Sequence, residues 1–335
     1  MLDLSIVPLI GRNRQWRIVV PVLEGVIAAL LTPVDRAGLV DHGALRESVE
    51  RLLSRGVTGI SPLGSTGEGY SLDLEQRLAV TGTVAASVPP GTPVIAGMFA
   101  HNHEQAVAEI AAYADRGATA VLAAPPAYYP LTPAEQQGYF GRLADATALP
   151  LVIYNIPVFT KITIDPAVAA ALAAHPRVAG LKDSGRDLDY GARLLDAVAA
   201  AGPDAADFSV LTGTDTMLVS YLLAGARGTI CANANIVPET VRAAYDAVLA
   251  GKLDDALRHE ALLRAVQAVL PAGSTAAYKA ALAAIGVGER WLVPPRLALT
   301  DAESALLADR LTALGVLLHQ IKVDHEERTR LTLQQ

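Results

Sequence analysis

The chain has 335 residues, of which 52% are hydrophobic and 18% are charged, and its formal net charge is −7. This balance supplies a large apolar core, and the lack of a basic stripe argues against nucleic acid as a partner. No apolar run reaches the ~18 residues that a membrane helix needs. The single cysteine, Cys231, cannot form an intrachain disulfide, which is typical of a reducing, cytoplasmic compartment.

The first residues of the chain are apolar, but the apolar run is short. It is followed by Arg12, Arg14 and Arg17. A secretory signal carries its positive charge before the apolar segment and not after it. We therefore interpret residues 1–24 as an N-terminal extension.

Eight short apolar segments predict strands. Most are nearly continuous apolar runs, as buried parallel strands require. Helical patterns lie between them, for example over residues 44–53 and 104–114. Strands that alternate with helices in this way predict a closed (β/α)₈ barrel, or TIM barrel, with a doubly wound sheet as the alternative. The predicted strands span residues 26–32, 59–63, 93–98, 118–123, 151–155, 178–182, 209–212 and 228–232.

The barrel is expected to occupy residues 25–250. Helical patterns without strands follow it, over residues 254–270, 275–285 and 301–321. No flexible linker separates the two parts. We therefore predict a C-terminal helical region, residues 251–335, that docks on the barrel.

The second predicted strand runs into the sequence Gly64-Ser65-Thr66-Gly67-Glu68. In a barrel, catalytic residues lie at the C-terminal ends of the strands. Two hydroxyls between glycines let side chains and backbone N–H groups converge on a small anion such as a carboxylate. The order of residues does not fit a dinucleotide or P-loop motif. The alternative is a turn without a ligand.

Two histidines, His101 and His103, flank Asn102 after the third predicted strand. Histidines two residues apart face different sides of a helix, and no further His or carboxylate cluster completes a metal site. Asparagine is a good helix cap. We therefore favour a helix start here over a metal site.

Tyr154 and Lys182 end two further apolar strands. Lysine is rarely buried, and a strand this apolar loses free energy by ending in one. An ion pair with Asp183 is the alternative, but neighbours on a strand point to opposite faces. Burial disfavours the charged form of an amine, and a neutral lysine can attack a ketone and form a Schiff base. We expect imine chemistry in which Tyr154 moves protons, with a structural tyrosine as the alternative.

Two more positions are candidates for the site or its surroundings. Tyr128 and Tyr129 lie in a proline-rich loop after the fourth predicted strand, and exposed loop aromatics mark ligand or subunit contacts. Cys231, on the eighth predicted strand, has the environment of an inert core thiol.

Three motifs, at residues 64–68, 154–157 and 180–184, occur in an order and spacing that resemble one family over roughly residues 25–320. This is the dihydrodipicolinate synthase/N-acetylneuraminate lyase superfamily of class I, pyruvate-dependent aldolases. The resemblance implies that Lys182 forms a Schiff base with pyruvate or a 2-oxo acid and that Tyr154 relays protons.

The resemblance also assigns roles to other residues. Ser65 and Thr66 would hold the pyruvate carboxylate, with Ser65 also assisting Tyr154. Tyr128 matches a tyrosine that reaches into the neighbouring subunit's site, where it would also help Tyr154 to move the proton. This contact implies a homodimer or homotetramer. Further substrate-binding residues implied by the resemblance are Gly64, Ser184, Asp215 and Cys231.

The sequence departs from the synthase pattern at Phe159, which stands where the synthases carry a carboxylate-binding arginine. We therefore expect a carboxylate-bearing aldehyde such as aspartate semialdehyde to be a poor substrate, with Lys161 as the alternative cation. Asp215 is the remaining member of an Asp-Glu pair that binds sugar hydroxyls in neuraminate lyases. The segments around Ser184 and Cys231 look more like those of 2-keto-3-deoxy-sugar-acid or 4-hydroxy-2-oxoglutarate aldolases.

We predict a class I aldolase or lyase that acts on pyruvate and a small aldehyde or 2-oxo acid, without a cofactor or metal. The first alternative is 4-hydroxy-tetrahydrodipicolinate (dihydrodipicolinate) synthase. A metal-dependent lyase using His101 and His103 and a non-catalytic 2-oxo-acid-binding barrel are alternatives of other classes.

Overall fold

The computed structural model describes residues 22–100, 102–270 and 274–316. The predicted extension therefore lies outside the described residues, except for its last three positions. Each of the eight strands is followed by a helix. The strands are β1 (Gly25–Ala29), β2 (Gly59–Ser61), β3 (Ile95–Met98), β4 (Ala120–Ala123), β5 (Leu151–Asn155), β6 (Val178–Asp183), β7 (Ser209–Thr212) and β8 (Gly228–Cys231).

The strands form one parallel sheet in the order β2-β1-β8-β7-β6-β5-β4-β3. The two ends of this order meet through a parallel bridge between Ile60 and Val94. Two backbone hydrogen bonds support the closure, from Ile60 N to the Pro93 oxygen and from Gly97 N to the Pro62 oxygen, each 2.9 Å long. The result is a nearly closed TIM barrel, so the predicted fold class is confirmed.

Twelve helices cover the described part of the barrel and extend past it. Asn102 begins one of them as predicted, because its side chain accepts a hydrogen bond of 2.9 Å from Gln105 N; His101 lies outside the described residues. The helices are α1 (His42–Ser54), α2 (Leu74–Ser87), α3 (His103–Asp115), α4 (Pro133–Ala146), α5 (Pro157–Thr160), α6 (Pro166–Ala173), α7 (Leu188–Ala200), α8 (Leu218–Leu223), α9 (Pro238–Leu249), α10 (Leu253–Val269), α11 (Thr275–Ala284) and α12 (Asp301–Ala313).

The predicted helix over residues 301–321 is not continuous, and residues 317–321 lie outside the described residues. The helix α12 ends at Ala313, and Gly315 has a φ of 74°. Glycine adopts this left-handed conformation readily and so ends helices.

Side chains of the strands alternate between two apolar clusters. Val26 and Ala28 belong to the cluster between the sheet and the helices, whereas Ile27 belongs to a cluster built mainly from strand residues. The second cluster fills the inside of the barrel and includes Tyr154. Since Lys182 pairs in register with Tyr154 across β5 and β6, its side chain faces the same interior.

Candidate active site

A cavity of about 320 Å³ opens at the C-terminal ends of the strands, where TIM barrels carry their active sites. Its wall combines strand ends with residues of the C-terminal helical region. Six of the residues predicted from the sequence line it together: Ser65, Thr66, Tyr154, Lys182, Ser184 and Asp215.

A chain of hydrogen bonds joins three of these residues. The Lys182 amine (Nζ) lies 3.3 Å from the Tyr154 phenol oxygen, which lies 3.1 Å from Ser65 Oγ. The Tyr154 ring also faces the amine, at 4.4 Å from Nζ to the ring centroid. Lys182 and Tyr154 are only 3% and 2% exposed. A proton can therefore move between the amine and the two hydroxyls away from bulk water.

Asp183 does not pair with Lys182. Its carboxylate accepts hydrogen bonds from Asn155 Nδ2, at 2.6 Å, from Gly185 N, at 2.9 Å, and from the Tyr221 hydroxyl. Burial raises the pKa of this carboxyl above its ordinary value, and the hydrogen bonds from Tyr221 and Asn155 partly offset that rise. These contacts fix the end of β6 and leave the lysine amine free for the cavity, as the strand alternation predicted.

Gly213 allows β7 to approach the end of β6. A Cβ atom at this position would lie 2.0 Å from Ser184 Oγ and 3.0 Å from Lys182 Cε. A side chain there would therefore displace both residues. Glycine at position 213 keeps the space in which the amine can move.

A buried ion pair connects the turn after β2 to the C-terminal helical region. Glu68, the last residue of the turn motif, lies 2.5 Å from the Lys279 amine of α11, and both side chains are almost fully buried. Glu68 also accepts a hydrogen bond of 3.0 Å from Val293 N. Ser65 and Thr66 line the cavity above it. The C-terminal helical region therefore supports the candidate anion-binding turn.

Asp215 forms a second polar part of the wall. Its carboxylate accepts a hydrogen bond of 3.0 Å from Asn233 N. Burial raises its pKa to about 6, an effect that the backbone of Asn233, the thiol of Cys231 and the charge of Arg186 reduce. The carboxyl group is therefore largely ionised at neutral pH and protonated in mildly acidic solution.

Three predicted site residues lie apart from the cavity wall. Gly64 is buried in the turn, and Cys231 is buried behind Asp215, where burial raises the pKa of its thiol. Tyr128 is 89% exposed and packs edge-to-face on Tyr129. Its predicted contact requires a second subunit, so that role stays a prediction.

Arg186 and three residues of the C-terminal helical region are among the cavity-lining residues that were not predicted from the sequence. Arg186 lies just after the third motif, at a strand end, and that position was a usable signal. The other three come from the C-terminal helical region, in which no local pattern marks a barrel-facing residue. They are Gln267, Thr275 and Tyr278.

The two positions that bear on carboxylate recognition differ in their environment. Phe159 lines the cavity and is 56% exposed, so its ring forms part of the mouth. Lys161 is not among the lining residues, and its amine donates a hydrogen bond of 2.8 Å to the Val158 oxygen. Lys161 therefore does not supply the cation missing at position 159.

Over residues 22–100, 102–270 and 274–316, no group of three or more His, Cys, Asp or Glu side chains is arranged to hold a metal ion. None of the helices in them combines the length and the apolar composition needed to cross a membrane.

The fold and the polar cavity at its strand ends are those of a TIM-barrel enzyme. The model of the dihydrodipicolinate synthetase family matches residues 22–314. The chain belongs to this family, which confirms the resemblance noted in the sequence. It is therefore an enzyme, a lyase of the aldolase type that acts on pyruvate.

Known relatives cover most of the chain. It is 35% identical to the 4-hydroxy-tetrahydrodipicolinate synthase of Methanopyrus kandleri over 306 residues, which are 88% of this chain and 97% of the relative. It is 34% identical to the synthase of the same name from Haloarcula marismortui, over 87% of this chain and 94% of that one.

Solved structures show the same similarity. A prophage protein of the dihydrodipicolinic acid synthase family from E. coli K12, solved in complex with pyruvate, matches with a TM-score of 0.82 and 26% identity, over 88% of this chain and 99% of that one. The dihydrodipicolinate synthase of Thermotoga maritima matches with a TM-score of 0.83 and 26% identity, over the same shares.

Proposed function

We propose that this enzyme is a class I aldolase in which Lys182 forms a Schiff base with pyruvate. The observation that carries the proposal is the buried chain of hydrogen bonds from the Lys182 amine through Tyr154 to Ser65. An amine that is desolvated and has a proton relay beside it suits covalent catalysis on a carbonyl group. The pyruvate in the related E. coli structure supports the choice of donor.

The proposed reaction begins when the neutral amine of Lys182 attacks the ketone carbon of pyruvate. Water leaves, and the resulting iminium draws electrons from the adjacent methyl group. The methyl group loses a proton to the relay of Tyr154 and Ser65 and becomes an enamine. The enamine carbon then attacks the carbonyl carbon of an aldehyde, whose oxygen gains a proton through Tyr154 and Ser65. Water releases the product and regenerates the amine. Cleavage of a 4-hydroxy-2-oxo acid is the reverse of these steps.

We propose that the turn at Ser65 and Thr66 binds the carboxylate of pyruvate. Both residues line the cavity beside the Tyr154 hydroxyl. Hydroxyl groups can donate hydrogen bonds to a carboxylate, and such charge-assisted bonds are stronger than neutral ones. The carboxylate would then orient the ketone carbon toward Lys182.

Two kinds of second substrate are candidates. The names of the curated relatives favour the synthase reaction with aspartate semialdehyde. The ring of Phe159 and the polar wall that includes Asp215, Gln267 and Thr275 favour the aldehyde of a hydroxylated 2-oxo acid. The first candidate makes the enzyme a 4-hydroxy-tetrahydrodipicolinate synthase. The second makes it a 2-keto-3-deoxy-sugar-acid or 4-hydroxy-2-oxoglutarate aldolase.

Steady-state kinetics test the function and separate these candidates. Pyruvate consumption would be followed with aspartate semialdehyde, and pyruvate release would be followed with a panel of 4-hydroxy-2-oxo acids. We expect pyruvate turnover with at least one of them and none in Lys182→Ala. Turnover that persists in Lys182→Ala would contradict the proposal. A higher kcat/KM for the semialdehyde than for every cleaved acid identifies the synthase.

We also propose a cytoplasmic homodimer or homotetramer. The single cysteine and the two exposed tyrosines, Tyr128 and Tyr129, support these two assignments.

A further inference from the structure

Arg186 holds an unusual position beside the catalytic lysine. It follows β6 by three residues and lines the same cavity as Lys182, Ser184 and Gly185. Its φ is 59°, in the left-handed region. Side chains other than glycine adopt this region uncommonly, and such residues concentrate at functional sites. This backbone conformation therefore points to a functional role for Arg186.

Within the described residues, no hydrogen bond or ion pair involves the guanidinium group of Arg186, and the side chain is exposed. Its charge acts at longer range on Asp215, whose pKa it lowers. Its neighbour Asp187 is engaged elsewhere, because its carboxylate accepts a hydrogen bond of 3.1 Å from Tyr190 N at the start of α7. A guanidinium presents five N–H donors in a fixed plane, a geometry that matches a carboxylate.

Among the charged residues that line the cavity, Arg186 is the one without an assigned role. Lys182 and Arg186 are the two cations among the lining residues, and Asp215 is the one acid. An imine would occupy Lys182, and Ser65 and Thr66 would bind the carboxylate of pyruvate. A second anionic group in the cavity would therefore have Arg186 as its cationic partner.

We propose that Arg186 binds a carboxylate on the second substrate and so selects anionic aldehydes over neutral ones. This inference rests on the proposed function and narrows it. It differs from the expectation that Phe159 leaves the site without a cation for such a group. Aspartate semialdehyde and glyoxylate, the aldehyde released from 4-hydroxy-2-oxoglutarate, both carry the required carboxylate. Glyceraldehyde, the aldehyde of a 2-keto-3-deoxy-sugar acid, does not.

The test compares Arg186→Gln with Arg193→Gln, a control on the exposed face of α7, where Arg193 pairs with Asp189. For each protein, kcat/KM would be measured with aspartate semialdehyde, glyoxylate and glyceraldehyde at saturating pyruvate. We expect Arg186→Gln to lower kcat/KM for the anionic aldehydes roughly 10- to 150-fold, the scale of a charge-assisted hydrogen bond. Its value for glyceraldehyde should stay within a few-fold of wild type, and the control should change none of the three.

Two further measurements keep the result interpretable. Borohydride trapping of pyruvate on Lys182 should proceed equally in wild type and Arg186→Gln, and Arg186→Lys should recover part of the loss. Equal losses for anionic and neutral aldehydes, or no loss for either, would overturn the role of Arg186. Weaker trapping in Arg186→Gln would also overturn it, since Arg186 would then act on the pyruvate step. A wild type that cannot be trapped would instead overturn the proposed function itself.

Discussion

Tyr154 lies between the amine of Lys182 and the hydroxyl of Ser65, within hydrogen-bonding distance of both. Its ring also packs inside the barrel, so the residue has both a structural role and a chemical role. Only the hydroxyl can relay a proton. A substitution that removes only the hydroxyl oxygen therefore separates the two roles.

Tyr154→Phe should keep the fold and lower kcat by ~10²–10⁴, the usual contribution of a positioned acid or base. The imine with pyruvate should still form, because the amine of Lys182 is retained. Circular dichroism, steady-state kinetics and borohydride trapping would measure the three properties. A variant that turns over within a few-fold of wild type would show that Tyr154 is only structural.

The buried carboxyl group of Asp215 should make the stability of the protein depend on pH. Burial raises its pKa from 3.8 to about 6, so the native state keeps a proton that the unfolded chain releases near pH 4. Its contribution to stability is therefore greatest below pH 4 and is lost as the pH rises through about 6. Relative to Asp215→Asn, the free energy of unfolding of wild type should fall by about 2 kcal/mol between pH 4 and pH 7.5. Urea unfolding of both proteins across this range would measure the difference, and parallel profiles would contradict the assignment.

Lys182 and Tyr154 could be predicted from the sequence because both end apolar strands, where burying a polar side chain costs free energy. The sequence did not predict Arg186, although that residue follows the same strand as Lys182. An arginine in a loop is ordinarily solvated, and only the backbone conformation and the cavity wall distinguish this one.

At the scale of elements, the turn after β2 depends on a helix that lies 200 residues further along the chain. Glu68 and Lys279 form a buried pair, and the Lys279 amine also donates a hydrogen bond of 2.8 Å to the Trp291 oxygen. Burial lowers the pKa of Lys279, whereas the charge of Glu68 opposes that change. Removing Glu68 leaves the Lys279 charge in the interior without its ion-pair partner, and removing Lys279 leaves Glu68 with Arg296, 3.9 Å away, as its remaining cation.

Glu68→Gln and Lys279→Met should each lower the free energy of unfolding by about 3–5 kcal/mol, the cost of an unpaired buried charge. The double variant should lose less than the sum of the two, because neither charge remains. Glu68→Gln should also raise the KM for pyruvate, since Ser65 and Thr66 lie in the turn that Glu68 anchors. Urea unfolding and kinetics would test both effects, and single variants that each cost under about 1 kcal/mol would show that the pair is not important.

The eight strands could be predicted because buried parallel strands are apolar and short. Their ends could not, as in the first strand, which was predicted over residues 26–32 but ends at Ala29. Buried residues beyond a strand have the same apolar composition as the strand itself. Only the hydrogen bonds to the neighbouring strands define where pairing stops.

At the scale of the whole molecule, the C-terminal helical region is part of the site. Gln267, Thr275 and Tyr278 line the cavity, and the Tyr278 hydroxyl donates a hydrogen bond of 2.7 Å to Asn233 Oδ1 after β8. The sequence predicted a docked helical region, but it did not predict this contribution. A contact between distant parts of a chain leaves no local pattern in either part.

The exposed tyrosines give a prediction about assembly. Tyr128 and Tyr129 lie side by side in the loop after β4 and are 89% and 73% exposed. If the family's subunit contact is present, sedimentation should give a dimer or tetramer. Tyr128→Phe should then lower kcat more than Tyr129→Phe, because only Tyr128 matches the tyrosine that reaches the neighbouring site. A monomer with full activity, or equal effects of the two substitutions, would contradict the prediction.

The proposed mechanism depends on the imine between Lys182 and pyruvate, which can be trapped chemically. The enzyme would be incubated with pyruvate and sodium borohydride, and the intact protein and its peptides would be weighed by mass spectrometry. We predict one stable adduct per chain, located on Lys182 and absent from Lys182→Ala. An adduct on another lysine, or labelling that survives in Lys182→Ala, would contradict the account.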